Sequence, residues 1–199
     1  MTVGLRFEDA ACLRGGRLLF EGVSFALAPG EAALVTGPNG VGKSSLLRMA
    51  AGLLKPAAGA IVAEGRIAWM GEAAALDAAL PLGAALGFWA RLEGADAAAT
   101  AAAIDAMAIS NLAPVPVRML STGQRKRAMI ARAIASGAPI WLLDEPGNGL
   151  DTAALGLLAD AIAAHRAAGG ILLAATHQPL GLGETRTIAL APLPVDSLP

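Results

Sequence analysis

Eight consecutive residues, Gly37-Pro38-Asn39-Gly40-Val41-Gly42-Lys43-Ser44, carry the strongest chemical signal in the chain. Glycines at this spacing let a backbone curl until several N–H groups point at one spot. Such a curl suits a polyphosphate: the N–H groups meet inner phosphate oxygens, the Lys43 ammonium meets the outer ones, and the Ser44 hydroxyl is placed for Mg²⁺. Ser45 is placed for a neighbouring phosphate. An apolar strand pattern at residues 31–36 precedes the loop, and a helix pattern at residues 43–51, ended by Gly52, follows it. The positive N-terminal end of that helix favours the same anion. By itself the loop specifies only a nucleoside triphosphate. The Asn-Lys-x-Asp segment that a guanine reader needs is absent.

A second signal lies about a hundred residues on. Ile140-Trp141-Leu142-Leu143 runs into Asp144-Glu145-Pro146. Two carboxylates at the end of an apolar strand are costly to bury unless a cation or a water network needs them. Asp144 is placed to hold Mg²⁺ directly or through water, and Glu145 to orient or deprotonate an attacking water. Upstream, Leu120-Ser121-Thr122-Gly123-Gln124 opens a helix pattern with a Ser-x-x-Gln capping box, and a capped helix start after a small-residue loop is also an anion site. His177 follows another buried strand pattern at residues 171–175. His165, on a helix face, has no comparable setting and reads as a surface residue.

These groups need a frame. Short apolar strands alternating with helices imply a parallel sheet covered on both faces. Strands are expected at residues 3–7, 17–27, 31–36, 67–70, 140–143, 171–175 and 186–191. The stretch from 73 to 111 reads as mostly helical, interrupted at Pro81 and Gly94, and looks like an insertion into the sheet. Helices are expected at 121–135 and 153–168. The 199 residues suit one compact domain, and 55% hydrophobic against 16% charged residues excludes a disordered chain. With Lys+Arg 15 and Asp+Glu 16, the only basic cluster is Arg125-Lys126-Arg127, which argues against DNA or RNA as the main partner. No apolar stretch reaches the length of a spanning helix, and no signal-peptide pattern opens the sequence, so membrane attachment is expected to come through a partner. The single cysteine, Cys12, reads as a small buried hydrophobe in a reducing compartment.

The order GPNGVGKSS, LSTGQ, WLLDEP, Gly149-Leu150-Asp151, Thr176-His177 resembles the nucleotide-binding subunits of ATP-binding-cassette transporters, over nearly the whole chain. The resemblance implies an α/β fold: a P-loop NTPase core with a mostly parallel sheet, an N-terminal antiparallel β subdomain and an inserted α-helical subdomain at about 73–135, all in one domain over 1–199. It implies ATP and Mg²⁺ as ligands. It also implies a homodimer that sandwiches two ATP molecules, each between residues 37–45 of one chain and Ser121, Gly123 and Gln124 of the other. Glu145 and His177 then carry the catalysis, with His177 reaching the terminal phosphate. Ser44 and Asp144 hold the metal, and Asp151 links the two sites. The Arg125-Lys126-Arg127 cluster is expected near the phosphate-facing end.

The chain departs from the family pattern at three places. No Gln lies between Ser44 and Leu120, where the family carries one that touches metal and water; the position falls near Gly71-Glu72-Ala73, and Glu72 is the candidate substitute. No Tyr exists in the chain, and the aromatic that stacks on adenine falls near Arg14, which reads equally as a stacking guanidinium and as a solvated arginine. Thr122 replaces the usual Gly, which is tolerable where no positive φ is required.

The short chain, the opening CLRGGRLLFEGVSFALAPGE and the segment Ala175-Thr176-His177-Gln178-Pro179-Leu180 are similar to the ATP-binding subunits of bacterial haem exporters for cytochrome c maturation. That similarity implies a peripheral protein on the cytoplasmic face of the bacterial inner membrane, bound to an integral-membrane permease. The competing readings are the same subunit serving another small-substrate exporter, a non-transport cassette protein, and a regulatory module that binds ATP without turnover. The short insertion and single cassette argue against the second, and the intact Lys43, Asp144, Glu145 and His177 against the third.

Overall fold

The computed structural model describes residues 3–71, 76–178 and 180–192. Five strands form a parallel sheet in the order β5 (Ile67–Met70), β6 (Ile140–Asp144), β7 (Ile171–Ala175), β3 (Ala32–Thr36), β8 (Arg186–Ala189). Every residue of β6 and β7 is buried, which explains their unbroken apolar runs: helices cover both faces, so alternation has no solvent side to mark. On one face pack α2 (Leu82–Leu92), α3 (Ala97–Ala106), α4 (Thr122–Ala135) and α5 (Thr152–Ala167), around Leu86, Met107, Ile130, Leu143 and Leu158. On the other lies α1 (Lys43–Ala50), with Leu46 and Leu47 fully buried beside Ile140, Leu142 and Leu173. The fold class read from the sequence is the one observed.

A second sheet is antiparallel, in the order β2 (Arg17–Leu27), β1 (Gly4–Arg14), β4 (Ala58–Glu64). Two corrections fall here. The first strand does not stop at Phe7 but runs to Arg14, and β4 carries no signal that the sequence reading used. A register shift between Phe7 and Ala10 explains both. Asp9 takes φ 50° at this bulge, which breaks the alternation and leaves Ala10, Ala11 and Cys12 buried in succession. Gly59 of β4 lies against the bulge so closely that a Cβ there would stand 2.2 Å from the Asp9 carbonyl oxygen. Cys12 is buried, as expected, and desolvation raises its thiol pKa, opposed in part by a hydrogen bond with the Ser45 side chain and the charge of Arg14.

The helical insertion is also shorter than its sequence pattern. Residues 72–75 lie outside the described residues. Asp77 closes a turn on Ala79 N, and α2 starts only after Pro81, whose missing N–H suits a helix start. Asp96 caps α3 through Ala99 N at 2.7 Å. The far end of the insertion is tied to the core by Arg66, which donates to the carbonyls of Glu93 (3.0 Å), Ser136 (2.9 Å) and Gly137 (3.2 Å). Arg132 pairs with Glu93 at 2.9 Å and lies 3.6 Å over the Trp89 ring.

His165 is not a surface residue. Its ring stacks on Trp141, with centroids 4.0 Å apart and planes 12° from parallel, and leaves no room for a side chain at Gly170. Nε2 lies 3.2 Å from the Ile171 carbonyl, which can only accept, so this nitrogen carries the hydrogen. Desolvation by burial lowers the pKa below 6.5, partly offset by that backbone bond. The unfolded chain therefore binds the proton first as pH falls, so the stability from neutral His165 is complete above about pH 6.5 and declines below it. Thermal melts between about pH 8 and about pH 5 should show that acid-side decline in the wild type and a shallower one in His165→Phe, which keeps a ring on Trp141. Parallel curves would show that His165 titrates normally.

Candidate active site

The loop between β3 and α1 curls as its glycines allow: Gly37, Gly40 and Gly42 have φ of 138°, 79° and 114°. Two of them are also closed off sterically. A Cβ on Gly37 would stand 2.3 Å from the Leu190 carbonyl oxygen, and one on Gly42 would stand 2.9 Å from the Phe20 ring. The loop is thus braced from one side by the residue after β8 and from the other by β2. Lys43 is buried, and its Nζ donates to the carbonyls of Gly37 (2.8 Å) and Pro38 (3.1 Å), inside the curl.

Strands β6 and β7 end side by side beneath this loop, with Asp144 paired to Ala175. Asp144 is buried. Glu145 N donates to the Ala175 carbonyl at 2.8 Å, and Glu145 then turns the chain out of the sheet at φ 47°, left-handed and unusual for a glutamate. Its Oε1 stands 3.6 Å from His177 Nε2, long for a hydrogen bond, and its Oε2 is buried without a hydrogen-bond partner. The turn that carries His177 is pinned by Thr176, whose hydroxyl accepts from Gln178 N (3.0 Å) and donates to the Gln178 carbonyl (3.2 Å). His177 itself is exposed.

Together these groups wall a cleft of about 550 Å³. Lys43, Ser44, Ser45, Asp144, Glu145 and His177 all face it, with Asn39, Gly40 and Gly42 from the loop. Thr122 and Lys126, both from the first turns of α4, also face it, and two further wall residues, Leu19 and Asn148, had no role in the sequence reading. Leu19 precedes Phe20 in β2, where nothing but strand alternation marks it.

Several other expected residues lie apart from this wall. Ser121 caps α4 with the reciprocal bonds of a capping box, Gln124 N to Ser121 Oγ at 3.2 Å and Ser121 N to Gln124 Oε1 at 2.9 Å. Thr122, which does line the cleft, does not take a positive φ. Gly123 packs so close to the next loop that a Cβ would meet the Gly149 carbonyl oxygen at 2.8 Å. Asp151 caps α5 through Ala154 N at 2.8 Å, a structural use the sequence reading did not foresee. Arg14 is exposed at the end of β1. Glu72 and Ala73 lie outside the described residues, next to a buried Gly71 closed against the Trp69 ring.

The basic cluster needs a correction. Three successive helical residues point about 100° apart, so they cannot share one face. Arg125 turns back to the Leu120 carbonyl (3.2 Å), and Arg127 holds the carbonyls of Met107 (3.3 Å) and Ala108 (3.1 Å). Only Lys126 reaches the cleft.

A glycine-rich curl between a parallel strand and a helix, with a lysine inside it and two carboxylates at the end of a nearby strand, defines a phosphate-loop nucleoside triphosphatase. A profile of the ABC transporter family matches residues 20–148. The chain belongs to that family, as an ATP-binding subunit with ATPase activity. It is 57% identical to the cytochrome c biogenesis ATP-binding export protein CcmA of Sphingopyxis alaskensis, over 97% of this chain and all of that one. It is 53% identical to the protein of the same name from Zymomonas mobilis, over 94% of this chain and 84% of that one. Among solved structures, an ATP-binding subunit of an ABC transporter superposes with a TM-score of 0.80 at 26% identity, over 88% of this chain and 80% of that one. An ATP-binding protein from Pyrococcus furiosus reaches 0.83 at 21% identity over 94% and 97%, a likeness of fold. A subunit of this family works with a membrane permease. No helix among the described residues is long and apolar enough to cross a membrane.

Proposed function

We propose that this chain is the ATP-hydrolysing subunit of a haem exporter for cytochrome c biogenesis, working as a homodimer beneath an integral-membrane permease on the cytoplasmic face of the bacterial inner membrane. The relatives named for cytochrome c biogenesis export, at 57% and 53% identity over almost the full chain, support the system. The observation that carries the chemistry is the cleft in which Lys43, Asp144, Glu145 and His177 converge. We read residues 1–199 as one nucleotide-binding domain with its helical subdomain inserted at about 73–135.

In this reading the loop N–H groups and Lys43 bind the phosphate chain of ATP, and the low exposure of Lys43 strengthens its charge there. The oxygens available for a divalent ion, the Ser44 hydroxyl and the buried Asp144 carboxylate, suit Mg²⁺, which is usually held by one or two carboxylates together with substrate phosphates rather than by a protein cage. Bound there, Mg²⁺ would neutralise charge that develops on the phosphates. The Glu145 carboxylate, which faces the cleft, accepts the proton of the attacking water, and His177 steadies the terminal phosphate. Thr122, at the start of α4, lines the chain's own cleft, while Ser121 and Gly123 on either side of it do not; in this reading a second copy facing this one completes the pocket with its own helix start.

Purification of the tagged chain from detergent-solubilised membranes tests the assignment. The expected result is a complex of two copies with a membrane subunit that handles haem. Recovery without any membrane subunit, or with a permease for another cargo, would overturn it.

A further inference from the structure

Lys126 is the one member of the basic cluster that reaches the nucleotide cleft, and there its ammonium bonds main chain. Nζ donates to the backbone carbonyl of Glu145 at 2.8 Å, across 19 residues of sequence and from the helical subdomain to the core. That carbonyl also accepts Asn148 N at 3.3 Å, and Glu145 N is held by the Ala175 carbonyl. Every polar backbone group of Glu145 is thus tied down, at a residue whose φ of 47° a glutamate rarely adopts. Left-handed residues other than glycine persist where the surroundings over-determine them, and they gather at functional sites. The backbone conformation decides where the carboxylate points, because Cα–Cβ is fixed by the main chain.

We infer that Lys126 is a positioning residue for hydrolysis: it clamps the left-handed peptide of Glu145 and so aims the carboxylate at the attacking water. This rests on Glu145 being the catalytic carboxylate, as proposed above. It gives α4 two tasks. Its first turn carries the Ser121 cap offered to the facing subunit, and one turn later the same helix holds the main chain of its own subunit's carboxylate. A tilt of α4 relative to the sheet moves both together, so that the carboxylate is correctly aimed only when the helical subdomain is docked.

The test is a double-mutant cycle of Lys126→Met and Glu145→Gln in the assembled transporter, with Lys126→Arg and Lys126→Gln alongside. Circular dichroism of each variant and its affinity for an ATP analogue control for folding and for direct phosphate contact. A misaimed catalytic group costs on the order of 10- to 100-fold in kcat, so Lys126→Met should fall by that factor with nucleotide affinity kept within about twofold. Lys126→Arg, which keeps a donor of similar reach, should recover most of the rate. In the Glu145→Gln background the Met substitution should cost nothing more, because it acts through a carboxylate already gone. An unchanged kcat, a loss of affinity that accounts for the fall, or additive effects in the cycle would each overturn the inference. Should Lys126→Met fail to fold, Lys126→Gln, which keeps a donor without the charge, runs the same cycle. Normal turnover by Glu145→Gln alone would instead overturn the assignment of Glu145, whatever Lys126 does.

Discussion

Glu145→Gln is expected to bind ATP, barely hydrolyse it and accumulate as a nucleotide-filled dimer. The substitution is close to isosteric and keeps the backbone problem constant, since glutamine is no more at ease at φ 47° than glutamate. What it removes is the negative charge and the basicity of a carboxylate that faces the cleft. Loss of a positioned general base lowers rates by about 10²- to 10⁴-fold. The phosphate-binding groups, Lys43, Ser44 and the loop N–H donors, are untouched, so affinity should persist. With cleavage blocked, the paired state that cleavage normally ends should become long-lived. Single-turnover hydrolysis and gel filtration with ATP present read both effects. Turnover near the wild-type rate would remove Glu145 from the mechanism and leave Asp144 or His177 as the groups to examine.

Lys43→Ala is expected to lose nucleotide binding altogether at ordinary concentrations. The ammonium is the only full positive charge inside the loop's curl, and its two carbonyl partners, Gly37 and Pro38, hold it there. A hydrogen bond between charged groups contributes about 1.5–3 kcal/mol, so two contacts to the outer phosphates together amount to roughly 3–6 kcal/mol, or about 10²- to 10⁴-fold in affinity. Truncation also removes the bonds to the Gly37 and Pro38 carbonyls, which loosens the loop that supplies the remaining donors. Calorimetric titration with a non-hydrolysable ATP analogue measures the loss, and circular dichroism checks that the fold survives. Unaltered affinity would show that the loop is not the phosphate site.

The two variants separate binding from cleavage, and that division was legible in the residues. The loop from Gly37 to Ser45, the carboxylates after β6 and the helix cap at Ser121 each combine residue types whose chemistry is narrow at that spacing, and the fold brings the first two to one cleft. The buried strands β6 and β7 were equally plain, because four or five apolar residues in a row between turn signals have few other uses. What stayed hidden depends on contacts between distant segments. The bulge at Asp9 that lengthens β1 and the strand β4 that meets it are set by register with each other, not by local pattern. His165 owes its half-buried stack to Trp141, on a strand 24 positions away, and sequence gave it no neighbour. Lys126 and Arg127 look alike in the chain, and only the helix's rotation sends one to Glu145 and the other to Met107 and Ala108. Within the run read as mostly helical from 73 to 111, the interruption at Pro81 holds, but residues 76–81 form turns, because Ala-rich composition favours helix without showing that Asp77 closes a turn there.

The strand order bears on how the subunit is made. β3, which leads into the phosphate loop, has β7 and β8 as its neighbours, and the Leu190 carbonyl sets the wall beside Gly37. β3 therefore waits for partners that follow it more than a hundred residues later in the chain. A nascent chain halted before β7 has the loop's full sequence but neither of the edges that hold it, so acquisition of nucleotide waits for the synthesis of β7 and β8, and products truncated before β7 stay empty.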